Sequence, residues 1–396
     1  MLEIIDLFRD KGMLDELGFG SIRDAFSDHF FPGISTIQTR ARYLLFVPWI
    51  YQRIEQERIP HSQVDRRART DQGELVRALK DGGEGENDGV IGMRAGDTLI
   101  RPPAAIYWTG FRQFHIWQYP GSMAQYYAAV QRSGPAAAAS YSDDDDLVET
   151  ATVRGWHAGL PTEPQGFLES ATFSLTSVEA EYLRERITYS APDSLLALCI
   201  NGRQAIRNVD YPWLHPDLSS FPDQLRNQLE HAHRLSVLAL GAALLYNLLV
   251  AQKALDAGLV IKPGLLDGLR ADIEASAADR ALLRGWRLTD LWSTLASKGH
   301  AISYPTRQFV ERMVEILENK PAAYADDKEA HRLIERRELA LKGGLARLTH
   351  RRALERFTEV VGLSVQTYRW QNVQRIVGDI RAGLARTDAA ELSLRA

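Results

Sequence analysis

The feature that most constrains this fold is an uncharged, apolar run of seventeen residues, Leu235 to Ala251. A membrane-spanning helix needs about 20 predominantly apolar residues, and this run is shorter and contains Ser236, Gly241 and Asn247. Apolar residues recur along it at spacings of three and four, and helical patterns continue on both sides. A helix that is apolar nearly all round is typical of a buried core helix. The run therefore predicts a central core helix at 222–257.

Composition indicates a soluble globular protein. The chain has 396 residues, 45% hydrophobic and 25% charged, which suggests two or three domains of roughly 100–200 residues each. A net charge of −4 excludes a wholly basic nucleic-acid coat protein. The single cysteine, Cys199, excludes an internal disulfide and a multi-cysteine zinc site, and it fits a reducing compartment. The N-terminus contains acidic residues and no long apolar core, so no signal peptide is predicted. We expect a cytoplasmic protein.

Helical patterns dominate the chain, and no segment alternates well enough to predict a large sheet. Thr176 and Glu179 have the spacing of a helix capping box, and Pro103 marks a helix start. The predicted fold class is mainly α, a multi-helix bundle around the central helix. The predicted domains are a helical N-terminal domain at 1–132, an acidic mobile linker at 133–170 and an all-helical C-terminal domain at 171–396.

Three segments of the N-terminal half carry more specific expectations. Residues 70–130 contain a helix, a glycine-rich acidic loop and a second helix, as in a helix-turn-helix or winged-helix-like unit with short extended pieces. Small helical domains without a DNA role show the same pattern. Pro48 is expected to kink the preceding helix or to end it near Val47, with a second helix after it. The run Asp143–Asp146 predicts a solvated linker, because like charges repel.

No catalytic signature is recognisable. The sequence contains no phosphate-binding loop, dinucleotide fingerprint, nucleophile elbow or zinc-protease motif. His231 and His233 are two residues apart on a predicted helix, about 200° around its axis, and cannot both bind one metal ion. Cys199 lies in an apolar helix, which favours a core position. We therefore predict no catalytic residue, no metal ligand and no cofactor. An enzyme whose site is assembled from scattered residues stays open as an alternative.

Positive charge is concentrated near the C-terminus. Residues 331–386 contain twelve basic and five acidic residues, a net charge of +7 in a chain of net charge −4. Eleven of the twelve are arginines, whose planar guanidinium suits phosphate and carboxylate groups. Arg40 and Arg42 form a second, smaller basic site, and one of them is expected to pair with Asp24 or Asp28. The predicted nucleic-acid-binding residues are Arg336, Arg337, Lys342, Arg347, Arg351, Arg352, Arg369, Arg40, Arg42 and Arg112.

Several segments resemble an uncharacterised bacterial family, a domain of unknown function. The segments DELGFGSIRDAF, STIQTRARYLLFVPWIY and RRELALKGGLARL carry the resemblance, which extends from about Asp15 to Leu384. The resemblance implies no reaction and no catalytic residue. It implies a cytoplasmic protein encoded in mobile or defence-type gene neighbourhoods, and hence a component of a multi-protein system with anti-phage defence as its expected setting.

The basic C-terminal segment and the lack of catalytic motifs are consistent with two functions. The first is a non-enzymatic component that binds nucleic acid, with DNA expected, or a nucleoprotein partner, through phosphate contacts of the C-terminal arginines. The second is a protein-interaction scaffold whose basic face docks an acidic partner subunit. Arginines free at the surface favour nucleic-acid binding, whereas arginines bound to internal carboxylates favour the scaffold. Neither function involves a membrane.

Overall fold

The structure is a computed structural model. It describes residues 15–93, 101–133, 155–297, 299–320 and 323–395, except for positions 203, 205 and 207. Within those ranges it is mainly helical, as predicted, and contains no β-strand; one isolated antiparallel bridge joins Trp117 and Trp156. The helices are α1 (Gly20–Phe30), α2 (Tyr43–Gln56), α3 (His61–Asp81), α4 (Pro103–Gln113), α5 (Met123–Ser133), α6 (Ser177–Ser190), α7 (Leu195–Asn201), α8 (Asp223–Asp256), α9 (Leu265–Ala275), α10 (Ala277–Arg280), α11 (Leu288–Ala296), α12 (Tyr304–Asn319), α13 (Lys328–Lys342), α14 (Arg351–Leu354) and α15 (Trp370–Arg395).

The chain forms two compact units, and each unit is discontinuous in sequence. The first unit contains the residues up to Ser27 together with Tyr211–Tyr368, and the second contains Asp28–Asp210 together with Arg369–Ala396. The predicted boundaries at 133 and 171 divide the chain linearly instead, and that division stays a prediction. Of the predicted acidic linker, residues 134–154 lie outside the described part of the chain, and so do its four aspartates.

The first unit is built around α8, which confirms the predicted core helix. Its bounds, Asp223–Asp256, lie one residue inside the predicted range at each end. Helices α9, α12 and α13 pack against it. By length and composition α8 could cross a membrane, but 72% of its most apolar 18-residue window is buried inside the protein. Burial to this extent is typical of a core helix.

The second unit has an aromatic core. Helix α2 packs against α3 and α4, and the C-terminal helix α15 packs against α6 and α7. The Phe46 ring lies 5.5 Å from that of Phe167, and the Tyr43 ring lies 5.4 Å from that of Phe173. The capping box predicted at the start of α6 is present, because Thr176 and Glu179 each accept the other's backbone N–H. Helix α4 begins at Pro103, as predicted.

The expectation at Pro48 is wrong in one respect. Helix α2 does not end near Val47 but runs through the proline from Tyr43 to Gln56. The residues before it, 36–42, form turns and irregular structure. The residues from Tyr43 to Tyr51 are all buried. Tertiary packing of this apolar segment therefore offsets the hydrogen bond that a proline removes from a helix interior.

The helix-turn-helix or winged-helix-like unit at 70–130 is not confirmed. The described residues of this segment contain the end of α3, a short 3₁₀ helix at Glu86–Asp88, and then α4 and α5. They contain no β-strand that could serve as a wing. Residues 94–100, within the predicted extended pieces, lie outside the described residues.

Candidate nucleic-acid interface

The predicted basic residues lie in both units and in two kinds of environment. Six of the ten are engaged in specific bonds within their own unit. The other four are exposed to solvent. The engaged residues are Arg40, Arg42, Arg337, Lys342, Arg347 and Arg369; the exposed residues are Arg112, Arg336, Arg351 and Arg352.

Arg40 is a structural residue of the second unit. Its guanidinium forms a bidentate pair with Asp379 of α15, with Nε–Oδ2 and Nη2–Oδ1 distances of 2.9 and 2.8 Å. The same guanidinium lies 4.4 Å from the centre of the Phe173 ring. Its Nη1 also donates to the carbonyl of Asp88 at 2.8 Å. Bidentate arginine–carboxylate pairs fix geometry strongly. Arg40 therefore anchors α15 to the turn before α2.

Arg42 is buried, and its charge is compensated inside the same unit. Its Nη2 donates to Oε1 of Glu179 at 2.7 Å, and its Nη1 donates to the carbonyl of Thr172 at 2.8 Å. The expectation that Arg40 or Arg42 pairs with Asp24 or Asp28 is therefore wrong. Helix spacing could not reveal the true partners, which lie more than a hundred residues away in the sequence.

Asp28, one of the two carboxylates expected to pair with Arg40 or Arg42, binds Arg369 instead. Nη1 of Arg369 donates to Asp28 and to the carbonyl of Ile34, both at 2.6 Å. The backbone of Arg369 has a positive φ of 66°, which L-residues adopt rarely and at a cost. The two bonds hold the side chain at the start of α15.

Arg337 of α13 lies in the core of the first unit. Its Nε donates to the carbonyl of Leu17 at 2.8 Å, and its Nη2 donates to the hydroxyl of Thr306 at 2.9 Å. The guanidinium lies 5.1 Å from the centre of the Phe309 ring. Burial lowers the pKa of Arg337. This arginine ties the segment before α1 to α12 and α13.

Glu338 is the residue that organises the basic segment after α13, and its side chain is fully buried. Its carboxylate accepts the Tyr246 hydroxyl at 2.7 Å and the backbone N–H groups of Arg347 and Leu348, both at 2.9 Å. Lys342 lies 3.5 Å away, the pair that the i, i+4 spacing predicts. The i, i+4 spacing accounts for this pair but not for the backbone bonds. Those bonds fold the chain back after Gly343.

Lys342 and Arg347 also share Glu16. Lys342 forms an ion pair with Glu16, and Nη1 of Arg347 lies 3.4 Å from the same carboxylate. Lys342 lies in addition 5.4 Å from the centre of the Tyr246 ring. Both cations are therefore compensated by carboxylates of the first unit.

Several exposed basic side chains of the first unit lie on consecutive elements. Helix α13, the 3₁₀ turn Gly343–Leu345 and α14 follow one another, and the turn contacts both helices. Positions 332, 336 and 339 are spaced so that they share one face of α13. We call the following exposed set the basic–leucine surface: Lys328, Arg332, Arg336, Leu339, Leu345, Arg351 and Arg352.

The acidic residues beside this surface are bound mostly elsewhere. Glu335 pairs with Lys253 at 3.5 Å, and Glu329 pairs with Arg312. Arg351 pairs with Glu355 at 3.2 Å, but both side chains are exposed, so the pair contributes little. Among the described residues, Arg332, Arg336 and Arg352 form no ion pair. The surface therefore carries positive charge that this unit does not neutralise.

His231 and His233 have different ring partners within the first unit. Nδ1 of His231 accepts Nε1 of Trp286 at 2.8 Å, whereas His233 stacks on Trp213. Cys199 is buried, as the apolar helix indicates. Within the described ranges, no three His, Cys, Asp or Glu side chains are grouped so that they could hold a metal ion.

Comparison with known proteins identifies a family and no activity. No curated protein and no solved structure matches the chain. A family model, described as a family of unknown function (DUF6361), matches residues 2–383, which is nearly the whole chain. The chain therefore belongs to DUF6361, a family of unknown function.

Proposed function

We propose that this protein is a non-enzymatic component of a multi-protein system and that it docks an acidic partner protein through the basic–leucine surface. The supporting observation is that exposed leucines lie on the same contacting elements as arginines that form no ion pair within the described ranges. Leu345 is 65% exposed and Leu339 is 40% exposed, beside Arg336 and the arginines of α14. Exposed apolar side chains rimmed by charge are typical of protein-interaction sites, where arginine is enriched.

The internal bonds of the other basic residues favour a protein partner over nucleic acid. Phosphate binding along a duplex needs several free cations, because each contact adds to the affinity. Six of the ten predicted cations are bonded within their own unit, so fewer remain for such contacts. An exposed leucine such as Leu345 has no role in binding a phosphate backbone, whereas it suits the apolar centre of a protein interface.

Nucleic-acid binding is a second candidate, and one observation favours it. Arg332, Arg336 and Arg352 are exposed and form no ion pair among the described residues. Their guanidinium groups suit phosphate as well as carboxylate. A setting in anti-phage defence is part of the proposed function with either partner, and it rests on the family resemblance alone. The proposed cytoplasmic location rests on the resemblance, the single cysteine and the composition of the N-terminus.

Two labelled probes separate the candidates. One is an acidic peptide in which leucines alternate with glutamates, and the other is a short duplex of arbitrary sequence. Binding of each probe to the purified full-length protein is measured by fluorescence anisotropy at several salt concentrations. A protein-docking surface binds the peptide more tightly than the duplex, and Leu345→Ser weakens peptide binding. A phosphate surface binds the duplex, and Leu345→Ser leaves that binding unchanged.

A quadruple variant tests the arginines of the surface. It replaces Arg332, Arg336, Arg351 and Arg352 by glutamine, leaving the buried Arg337 in place. Its matched control replaces four exposed cations of the second unit, Arg66, Arg69, Arg77 and Lys80, by glutamine. We expect the first variant to weaken peptide binding and the control to retain it. If the duplex is the true ligand, the first variant instead flattens the salt dependence of log affinity by up to about 0.9 per lost contact. Equal effects of the two variants would contradict both candidates.

A further inference from the structure

The first unit contains a cavity that the basic–leucine surface does not involve. Its volume is about 310 Å³, and it lies beside α8, between the 3₁₀ turn Pro212–Leu214 and the short helix α10. Apolar side chains of Leu214, Val237 and Leu240 form much of its lining. A cavity of this size, lined mainly by apolar and aromatic groups with a few polar groups, has the character of a small-molecule site.

One side of the cavity is a stack of aromatic rings. The rings of Tyr211 and Trp213 are 5.0 Å apart and inclined by 5°, and those of Trp213 and His233 are 4.6 Å apart and inclined by 11°. All three residues line the cavity. Burial lowers the pKa of His233, which favours the neutral imidazole. A flat, uncharged aromatic stack favours planar rings as neighbours.

Polar groups converge on another part of the lining, where α10 begins and ends. Nη1 of Arg280 donates to the Ser276 hydroxyl at 2.7 Å, and Nη2 donates to the carbonyl of Ile273 at 2.6 Å. The guanidinium also lies 4.8 Å from the centre of the Tyr324 ring. Arg280 is only 1% exposed, so packing and hydrogen bonds hold this donor group in place.

Asp279 adds an acceptor next to that donor. It is exposed and lines the cavity. Among the described residues, its carboxylate forms neither a hydrogen bond nor an ion pair. An acidic acceptor and an arginine donor therefore lie on the same lining, together with the hydroxyl of Ser276.

We propose that this cavity binds a small planar heteroaromatic molecule of the nucleobase class. Such a ring stacks on aromatic side chains, and its edge carries both the N–H donors that Asp279 accepts and acceptors that suit the Arg280 guanidinium. A simple aromatic acid is disfavoured because its carboxylate meets Asp279. A hydrocarbon ring is disfavoured because it leaves the polar lining unsatisfied.

The test is equilibrium binding measured by calorimetry on the full-length protein. The probes are adenine, hypoxanthine, cytosine and uracil, with benzoate and indole as the anionic and the weakly polar ring controls. We expect at least one of the four nucleobase probes to bind more tightly than benzoate and indole. The proposal is overturned if none of the four binds at millimolar concentration, or if benzoate or indole binds more tightly than all of them.

Four variants locate the binding. Val237→Trp and Leu240→Trp each fill the cavity from α8, and both are expected to weaken binding by about tenfold or more. Asp279→Asn removes the acidic acceptor and is expected to weaken binding, whereas Glu274→Gln, an exposed change on α9, is the matched control. Thermal unfolding of each variant verifies that it is folded. Unchanged affinity in both folded filling variants, or in Asp279→Asn, would overturn the proposal. No residue of this site belongs to the basic–leucine surface, so failure here leaves the docking proposal intact.

Discussion

Arg336 and Arg337 are neighbours with the same chemistry, yet they lie in opposite environments. Arg336 is exposed, and its Nε donates to the backbone carbonyl of Arg332 at 3.2 Å. Arg337 is buried and bonded to Leu17 and Thr306. Adjacent helix residues point about 100° apart, so one turns toward the core when the other faces solvent. Charge counting along the sequence treats the two residues as equal, although only Arg336 is available to a partner.

This difference predicts that the same substitution lowers stability at Arg337 but has little effect at Arg336. We expect Arg337→Gln to lower the free energy of unfolding by about 1–3 kcal/mol, because the carbonyl of Leu17 and the Thr306 hydroxyl lose a buried donor. Arg336→Gln is the matched control, and its effect should stay within about 0.5 kcal/mol. Urea unfolding followed by circular dichroism measures both. Equal stability of the two variants would show that Arg337 is not held in the core.

Glu55 is a half-buried carboxyl group that the sequence did not single out. The Tyr127 hydroxyl donates to its Oε1 at 3.0 Å in the second unit. Burial raises the pKa of Glu55 from 4.5 to about 7, while hydrogen bonds from Tyr127 and Tyr126 lower it. Since the folded state holds the proton more tightly than the unfolded chain, this group stabilises the fold most at low pH. Its contribution is lost as the pH rises from about 4.5 to about 7.

We expect the free energy of unfolding of the wild type to fall between pH 5 and pH 8 relative to that of Glu55→Gln. The relative change should be on the order of 3 kcal/mol, since one pKa unit corresponds to about 1.4 kcal/mol. Glutamine keeps the shape and an acceptor for Tyr127 but does not titrate. Urea titrations of both proteins across this range provide the measurement. Parallel pH profiles would mean that Glu55 is solvated in the folded protein.

At the scale of single elements, sequence patterns located several helices accurately. The bounds of α8, the capping box of α6 and the proline start of α4 follow from local rules of burial, capping and backbone geometry. Helix α2 is the exception, because it continues through Pro48. The residues on both sides of Pro48 are buried. This burial depends on tertiary packing, which a local sequence pattern does not contain. Long-range packing also decides which glycines of a helix must stay glycine.

Helix α15 offers a matched pair of glycines. A Cβ at Gly383 would lie 2.6 Å from Cβ of Ala180 and 3.0 Å from Cβ of Leu175, whereas a Cβ at Gly378 would meet no atom within 4 Å. We expect Gly383→Ala to lower the free energy of unfolding by about 1–3 kcal/mol through overpacking. Gly378→Ala should raise it by about 0.4–1 kcal/mol, because alanine restricts the unfolded chain. Thermal unfolding of the two variants distinguishes these signs, and a stabilising Gly383→Ala would contradict the close approach of α15 to α6.

At the scale of the whole molecule, both units are assembled from segments far apart in sequence. The C-terminal helix α15 belongs to the second unit together with residues 28–210. Its residues Trp370, Val373, Ile376 and Ile380 are fully buried, and the Trp370 Nε1 donates to the carbonyl of Val209 at 2.7 Å. The second unit therefore depends on a helix that follows the whole first unit in the chain.

A truncation after Tyr368 tests this dependence. We expect it to remove the amide-exchange protection of α6 and α7, which pack on α15, while the amides of α8 in the first unit keep theirs. Truncation after Arg386 is the control, because the buried positions of α15 among the described side chains end at Gly383. Hydrogen exchange read by mass spectrometry gives the result. Equal loss of protection in α6 and α8 would show that the two units do not unfold separately.

The sequence alone determined the helical class, the core helix and most local helix signals, because these depend on the period of apolar residues and on backbone rules within a few residues. It also located the net positive charge of 331–386. Only the tertiary structure decided which of those cations face solvent, since Leu17, which binds Arg337, and Asp28, which binds Arg369, lie more than three hundred residues away from them. The cavity beside α8 likewise joins residues of separate segments, Tyr211–Leu214, Ser276–Arg280 and Val365. A site built by such long-range contacts leaves no local pattern in the sequence.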